Sequence, residues 1–331
     1  MKDIPSHLWH PSYLRVGEKK TGGPNLRLLR LDPGKPSNTV TAFIFNKFVH
    51  PFEDRYITPR EAARLQQFPD DHKFSGPITK IQLQIGNAVP VGLAEAVAQH
   101  VSKRFSETSA HEKPTAVGLF SGAGGMDLGF SKYFDIISST EIDPVFCDTL
   151  RLNFPQARII EDDIRNIGGE ELAKTGAPDV IFGGPPCQPF SAAGKQRGLD
   201  DPRGTLASEY LRVVSEMKPR FFVLENVPGL VSNAKGGALQ AILQGVQEIG
   251  YKAEWHILKA VNYGAPQNRR RLIVIGRRDS DEPEFGTPPP THGPVSEGQL
   301  PVGLLPFATV RDAFNGLPPA QLRSARESFQ P

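Results

Sequence analysis

Cys187 stands in the segment GGPPCQPFS, where two prolines stiffen the backbone just before it and a strand-like run, DVIFGG, leads in. An isolated cysteine is read first as a small buried thiol. A rigid polar turn at a strand end is a poor place for one, and it offers the thiol to a cleft as a nucleophile. Glu225 and Asn226 close another apolar run, FFVLENV, and an acid at the end of a buried strand needs a task or a strong partner. Arg269 and Arg271 lie two residues apart in PQNRRRLIVIG, so both can face one side of a strand. In LFSGAGGMDLGF, Gly122, Gly124 and Gly125 permit a tight turn and close approach of a ligand to the backbone. Glu141 ends the next apolar run, where an acid can bind ribose hydroxyls, and Asp163 follows a third. The glycines lack the GxGxxG spacing of nicotinamide enzymes. A GAGG turn with two acids and no pyrophosphate to hold fits S-adenosylmethionine better.

These residues need a sheet to position them. The runs AVGLF (116–120), IISST (136–140), DVIF (179–182), FFVLEN (221–226) and LIVIG (272–276) read as strands covered on both faces. Between them, Leu206, Tyr210, Val213, Val214 and Met217 recur at helical spacing, as do Leu239, Ile242, Leu243, Val246 and Ile249. Alternation of this kind over 115–278 predicts an α/β fold with a doubly wound, mostly parallel, Rossmann-like sheet. The flanks, 279–331 and 1–57, are irregular, with a few β-like stretches such as TVTAFIF. Thr58, Pro59 and Glu61 form a capping box with proline at the first helical position. A second helix begins near Pro90, with Leu93, Val97 and Val101 on one stripe, and SETSAHEKP (106–114) reads as a linker.

The 331 residues suit one large domain and one small one, and 38% apolar content supports a real core. No run of 18 apolar residues appears, so no membrane span or membrane partner is expected. Two cysteines argue against a disulfide scaffold and for a reducing compartment, with Cys147 in the core and no metal site. The opening MKDIPSHLWH lacks the pattern of a secretory signal, and the expected location is the bacterial cytoplasm, at the nucleoid. A net charge of +2 does not announce a nucleic-acid binder, but cations cluster at Arg269, Arg270 and Arg271, at Arg277 and Arg278, and around Lys19, Lys20, Arg27 and Arg30.

Together these segments resemble the DNA cytosine-5 methyltransferases. That family carries a Gly-rich cofactor loop (here FSGAGG), PCQ with a catalytic cysteine (Pro186, Cys187, Gln188), ENV with a catalytic glutamate (Glu225, Asn226, Val227) and QxRxR (Gln267, Arg269, Arg271). GKQRGLDDPRGTL (194–206) is similar to the family's loop after the cysteine. The resemblance implies that Cys187, Glu225, Arg269 and Arg271 are catalytic. S-adenosylmethionine would bind at Phe120, Gly122, Ala123, Gly124, Gly125, Glu141, Asp163, Pro186 and Asn87, with Ile142 and Ile164 flanking the adenine. Double-stranded DNA would meet Gln188, Ser191, Lys195, Arg197, Arg203 and Asn226. The target base would be flipped out, and the loop 188–206 would close over it.

One departure from the family is large. Its RE-rich helix and GN motif usually come last, yet here TPREAARLQQFPD (58–70) and QIGNAVP (84–90) come first. The chain therefore resembles a circularly permuted member: 1–78 holds part of the target-recognition domain and the RE-rich helix, and 79–104 the helix completing the catalytic domain. Residues 105–114 are the linker, 115–278 the catalytic domain and 279–331 the rest of the recognition domain. A monomeric modification enzyme of a bacterium or phage is expected. A cognate restriction endonuclease, a complementing subunit, a transfer-RNA substrate and a catalytically inactive DNA-binding relative remain open as alternatives.

Overall fold

Along the strand Phe221–Asn226, side chains alternate between two apolar layers: Phe221 and Val223 enter one, Phe222 and Leu224 the other. That double burial is why these runs carry almost no polar residue until their ends. The computed structural model describes residues 4–5, 8, 28–42, 47–105, 113–173, 176–186, 205–232, 237–278, 283–296 and 299–319. Its central sheet has seven strands, β1 (Thr115–Leu119), β2 (Asp135–Glu141), β3 (Arg158–Glu161), β4 (Val180–Gly183), β5 (Phe221–Asn226), β6 (Lys252–Lys259) and β7 (Arg270–Arg277). Their order is β3-β2-β1-β4-β5-β7-β6. β1 to β5 pair in parallel, and β7 runs antiparallel to both β5 and β6. The chain's winding reverses between β1 and β4. The loops leaving those two strands therefore diverge and open a crevice at their carboxyl ends.

Among the described residues, the helices longer than one turn are α1 (Pro59–Leu65), α2 (Ile78–Asn87), α3 (Val91–Ser102), α4 (Gly125–Ser131), α5 (Pro144–Asn153), α6 (Thr205–Met217), α7 (Gly237–Glu248) and α8 (Val310–Phe314). The stripe Leu93, Val97 and Val101 of α3 is buried on one face of the sheet, with Phe130, Phe134, Phe182 and Ile275. Gly129 makes this possible, since a Cβ there would lie 2.5 Å from the Glu95 backbone nitrogen. Tyr210, Val213 and Val214 of α6 and Leu239, Ile242 and Val246 of α7 cover the other face. A third apolar cluster joins Leu31, Val40, Phe48 and Ile57 to Leu65, Ile85 and Val310. Val310 N donates to Lys35 O (3.0 Å) and Arg311 N to Pro33 O (3.0 Å), so segments from the two ends of the chain pack together.

The expected capping box is present. Glu61 N donates to Thr58 Oγ1 (3.2 Å) and Thr58 N to Glu61 Oε2 (2.6 Å). Three features differ from the sequence expectations. KAEWHILK forms an edge strand, β6, whose mixed burial hid it from a search for apolar runs. TVTAFIF is not a strand across its described part, 39–42; Val40 is fastened instead through the side chains of Gln267 and Arg269. The Pro- and Gly-rich tail contains α8, started by a second capping box at Thr309 and Asp312. Among the described residues, no helix is long and apolar enough to cross a membrane.

Candidate active site

Pairing of β7 with β5 sets the site's first geometry. Ile273 lies opposite Glu225, so Arg271, two residues earlier on the same face, is Glu225's diagonal neighbour. The outcome is an ion pair, Arg271 Nε to Glu225 Oε1 at 2.5 Å, with both side chains nearly buried. Gly184, in the loop leaving β4, leaves room for the carboxylate: a Cβ there would lie 2.7 Å from Glu225 Oε2. Asn226 faces the opposite way. Its Nδ2 donates to Pro185 O (3.1 Å) and its Oδ1 accepts from Val227 N (2.8 Å), tying the end of β5 to the turn that leads to Cys187. Expected at the substrate, Asn226 thus holds the proline turn.

A cavity of about 700 Å³ opens above this pair. It is lined by Phe120, Gly122, Ala123, Gly125, Glu141, Ile142, Asp163, Ile164, Pro186, Asn87, Glu225, Asn226, Arg269 and Arg271, all singled out in the sequence. Thr39, Thr41, Ser121, Asp127, Thr140 and Asp162 line it as well. Gly124 is the exception among the loop glycines. Its φ of +78° starts α4, and a Cβ would strike Phe154 at 2.4 Å, so it serves the turn and does not face the cavity.

The loop after β1 is bent by left-handed residues, Phe120 (φ 56°) and Gly122 (φ 57°). A Cβ on Gly122 would meet nothing within 4 Å, so this glycine leaves open space. Glu141 links the loop to the end of β2: Oε2 accepts from Gly122 N (2.9 Å), and Oε1 from Ile142 N (2.9 Å) and Asp143 N (3.0 Å). Burial raises its pKa despite those three donors. Asp163 caps a short turn, and the hydrogen bonds from Arg165 hold its carboxyl below the usual range. Ile142 is exposed beside the cavity and Ile164 is buried.

Arg269 was expected among the catalytic groups, and the structure places it elsewhere in the machinery. It is 2% exposed and donates from Nη1 to Val40 O (2.6 Å) and from Nη2 to Gly86 O (3.1 Å). Burial drives its pKa well below the ordinary value. Gln267 works beside it. Its Nε2 donates to Leu65 O (2.7 Å) and Gln66 Oε1 (2.6 Å), and its Oε1 accepts from Val40 N (3.1 Å). Both residues therefore clamp the N-terminal segments onto β7. Gly86 permits the contact, since a Cβ would lie 2.2 Å from Ala42 N. Asn87, its neighbour, is thereby delivered to the cavity rim.

Two residues of this site were not singled out in the sequence. Asp127 is fully buried, and its Oδ1 accepts from Ser121 Oγ (3.0 Å) and Ser139 Oγ (2.6 Å). Burial pushes it up to about 6. An acid among the buried positions of a short apolar helix was the available signal. His72 reaches the Ala123 carbonyl from the N-terminal region, and nothing local in the sequence reports that contact. Cys147 is buried, as expected, and burial raises its pKa to about 12. Cys187, Gln188, Ser191, Lys195, Arg197 and Arg203 lie outside the described residues. Among the described residues, no cluster of His, Cys, Asp or Glu could hold a metal ion.

Comparison with known proteins places this geometry. The family model of the C-5 cytosine-specific DNA methylases matches residues 12–103 and 115–314. The Type II methyltransferase M.AquIA of Picosynechococcus sp. is 44% identical over 227 residues, 63% of this chain and 91% of that protein. M1.HphI of Haemophilus parahaemolyticus is 41% identical over 184 residues, 54% of this chain and 49% of its own length, so the chain spans about half of that relative. A solved structure of a DNA modification methyltransferase encoded within an E. coli prophage is similar at a TM-score of 0.52 and 32% identity, covering 63% of this chain and 56% of that one. The family is one of S-adenosylmethionine-dependent enzymes. With Gly122, Glu141, Glu225 and Arg271 around one crevice and the family model matching most of its length, the chain belongs to the C-5 cytosine-specific DNA methylases.

Proposed function

We propose that the chain methylates carbon 5 of cytosine within a specific double-stranded DNA sequence, as the modification enzyme of a restriction–modification system. The observation that carries this reading is the Glu225–Arg271 pair at the base of a cavity whose other wall is the glycine loop and Glu141. The residues fit S-adenosylmethionine. The space that a Cβ on Gly122 would fill is empty, and an acid stands at the neighbouring strand end. Phe120, Gly122, Glu141, Asp163 and Asn87 would hold it, with Ile142 and Ile164 beside the adenine. When bound, it supplies an electrophilic methyl group.

The chain's own residues prepare the base. Carbon 5 of cytosine is a weak nucleophile, and addition of the Cys187 thiolate to carbon 6 turns the ring into an enamine. Glu225 holds a proton at N3 and stabilises the charge that develops there, and Arg271 fixes the Glu225 carboxyl and orients the base. Asn226 holds Pro185, two residues before Cys187, and so steadies the turn that presents the thiol. Reaching a paired base requires its extrusion from the duplex. Lys195, Arg197 and Arg203 supply charge for the phosphates.

The chain is further read as circularly permuted, with target recognition built from 279–331 and about 1–57. Support comes from the two separate blocks of the family match and from α3, which precedes the linker yet packs on α4 beside β1. A Cys187→Ala variant should bind S-adenosylhomocysteine normally and transfer no labelled methyl group to duplex DNA. Undiminished transfer by that variant overturns the mechanism. Transfer by the wild type to total tRNA but not to duplex DNA overturns the substrate.

A further inference from the structure

His72 lies in the segment after α1, before the linker, yet it acts on the loop after β1. Its ring is 2% exposed and packs against Phe68 (centroids 4.7 Å apart) and Phe74 (4.9 Å), which also touch each other (5.2 Å). Its Nε2 is 3.1 Å from the carbonyl oxygen of Ala123. A carbonyl only accepts, so Nε2 carries the hydrogen and the tautomer is fixed. Burial pushes the ring down to about 4, so it is neutral near pH 7. The backbone around it is anchored as well: His72 N donates to Pro69 O (3.1 Å), and His72 O accepts from Arg60 Nη2 (2.8 Å).

The recipient is placed where orientation matters. Ala123 is itself buried and sits between two left-handed glycines, Gly122 and Gly124. Glycines offer little resistance to rotation of the intervening peptides. On one side, Gly122 N is held by Glu141. On the other, Gly124 N donates to Ser121 O (2.8 Å). The Ala123 carbonyl would be a buried acceptor without a side-chain partner if His72 did not reach it, and such a group is costly enough to turn toward another donor.

We propose that His72 is a positioning residue for the cofactor loop: its hydrogen bond to Ala123 O holds the peptides of Gly122–Gly124 in the orientation that S-adenosylmethionine binding requires. Cofactor affinity is then set in part by a segment that precedes the linker. The proposal rests on the assignment of loop 120–125 to the cofactor.

The test is His72→Phe, which keeps a ring against Phe68 and Phe74 and removes the donor. Its dissociation constant for S-adenosylhomocysteine, by calorimetry on the full chain, should rise about tenfold, the equivalent of one lost hydrogen bond that leaves a buried carbonyl unpaired. KM for S-adenosylmethionine should rise by more than kcat falls. His72→Gln, which restores a donor, should recover most of the affinity. The long-range 1H–15N spectrum of the wild type at pH 7 should show the neutral Nε2–H tautomer, and this holds whether or not the variants fold. A wild-type dissociation constant in H72F, an H72Q variant as weak as H72F, or an Nδ1–H tautomer overturns the role of His72. A wild type that binds no S-adenosylhomocysteine refutes the cofactor site itself, a distinct outcome.

Discussion

Replacing Arg269 by Met should separate clamping from catalysis. Methionine matches the length of the aliphatic stem and removes two donors, which leaves the carbonyls of Val40 and Gly86 buried. Each orphaned carbonyl costs about 1–3 kcal/mol. Against that, the wild-type guanidinium is desolvated strongly enough to lower its pKa well below normal, and an apolar side chain recovers part of this penalty. The expected net loss is about 2–4 kcal/mol, a fall in Tm on the order of 3–6 °C for a chain of this size. Amide exchange in 37–42 should rise, because Val40 then keeps only the Gln267 contact at its nitrogen. Arg271→Met behaves differently in this geometry. It leaves Glu225 without its ion-pair partner at the base of the cavity, so methyl transfer should collapse. The reasoning is refuted if R269M melts like the wild type with unchanged exchange at Val40 while its activity is lost, since Arg269 would then act on the base and not on the fold.

The remaining expectations concern the loop, the buried ion pair and acid stability. Gly122→Val places a β-branched residue at φ +57°, costing roughly 1–2 kcal/mol, and fills open space in the cavity; S-adenosylhomocysteine binding should fall at least about tenfold, beyond what the stability loss explains. Wild-type binding in that variant would remove Gly122 from the site. Glu61→Ala removes the buried one of Arg55's two carboxylate partners (2.7 and 2.9 Å), leaving Glu53, and deletes the half of the α1 capping box in which Thr58 N donates to Glu61; urea unfolding should show a loss of about 2–3 kcal/mol, with Glu61→Gln losing less. His72, pushed from 6.5 down to about 4, binds its proton mainly in the unfolded chain, so it withdraws stability as pH falls through that window, by about 3 kcal/mol. Asp127, pushed from 3.8 up to about 6, binds its proton first in the folded chain and withdraws stability as pH rises through its own window. The two oppose one another between about pH 4 and 6. Denaturation at pH 7 and 4.5 should therefore show D127N losing more stability on acidification than the wild type, and H72F losing less; the reverse ranking would refute the assignment.

Residues that line the cavity were legible in the sequence because strand ends concentrate polar groups after apolar runs. Glu225 and Asn226 stand out against FFVL, Glu141 against IISST, and the glycines of FSGAGG against the strand before them. The sheet was legible for the same reason, since burial on both faces leaves a continuous apolar signature. β6 escaped because an edge strand is only partly covered, and KAEWHILK therefore carries Lys, Glu and His among its apolar residues. TVTAFIF misled because alternation records which residues want burial and does not record what buries them. Val40 is fully buried, but under Gln267 and Arg269, not in a ladder. The roles of Arg269 and Asn226 were hidden similarly, since a motif names a residue without saying whether its donors meet a ligand or a neighbouring backbone.

What no local reading could supply is the dependence of the cavity wall on the first hundred residues. Gly125 has room for no side chain because the Val89 carbonyl would lie 2.5 Å from its Cβ. His72 holds Ala123, and Gly86 admits Ala42 under the Arg269 clamp. The contacts of Gly125 with Val89, His72 with Ala123 and Arg269 with Gly86 each join residues on opposite sides of 106–112, and each bears on backbone that lines the cavity. Loop-closure entropy grows only slowly with length, so the order in which the two segments are synthesised matters little to the energy of contacts once made. The geometry that must persist is the set of contacts, and the glycines at 86, 92, 125 and 129 mark where two backbones approach too closely for any Cβ. Gly125 and Gly129 tie the N-terminal helices to the sheet through its first loop and helix, while Gly92 meets the Tyr263 carbonyl and Gly86 meets Ala42, and a side chain at Gly125 should loosen cofactor binding before it abolishes the fold.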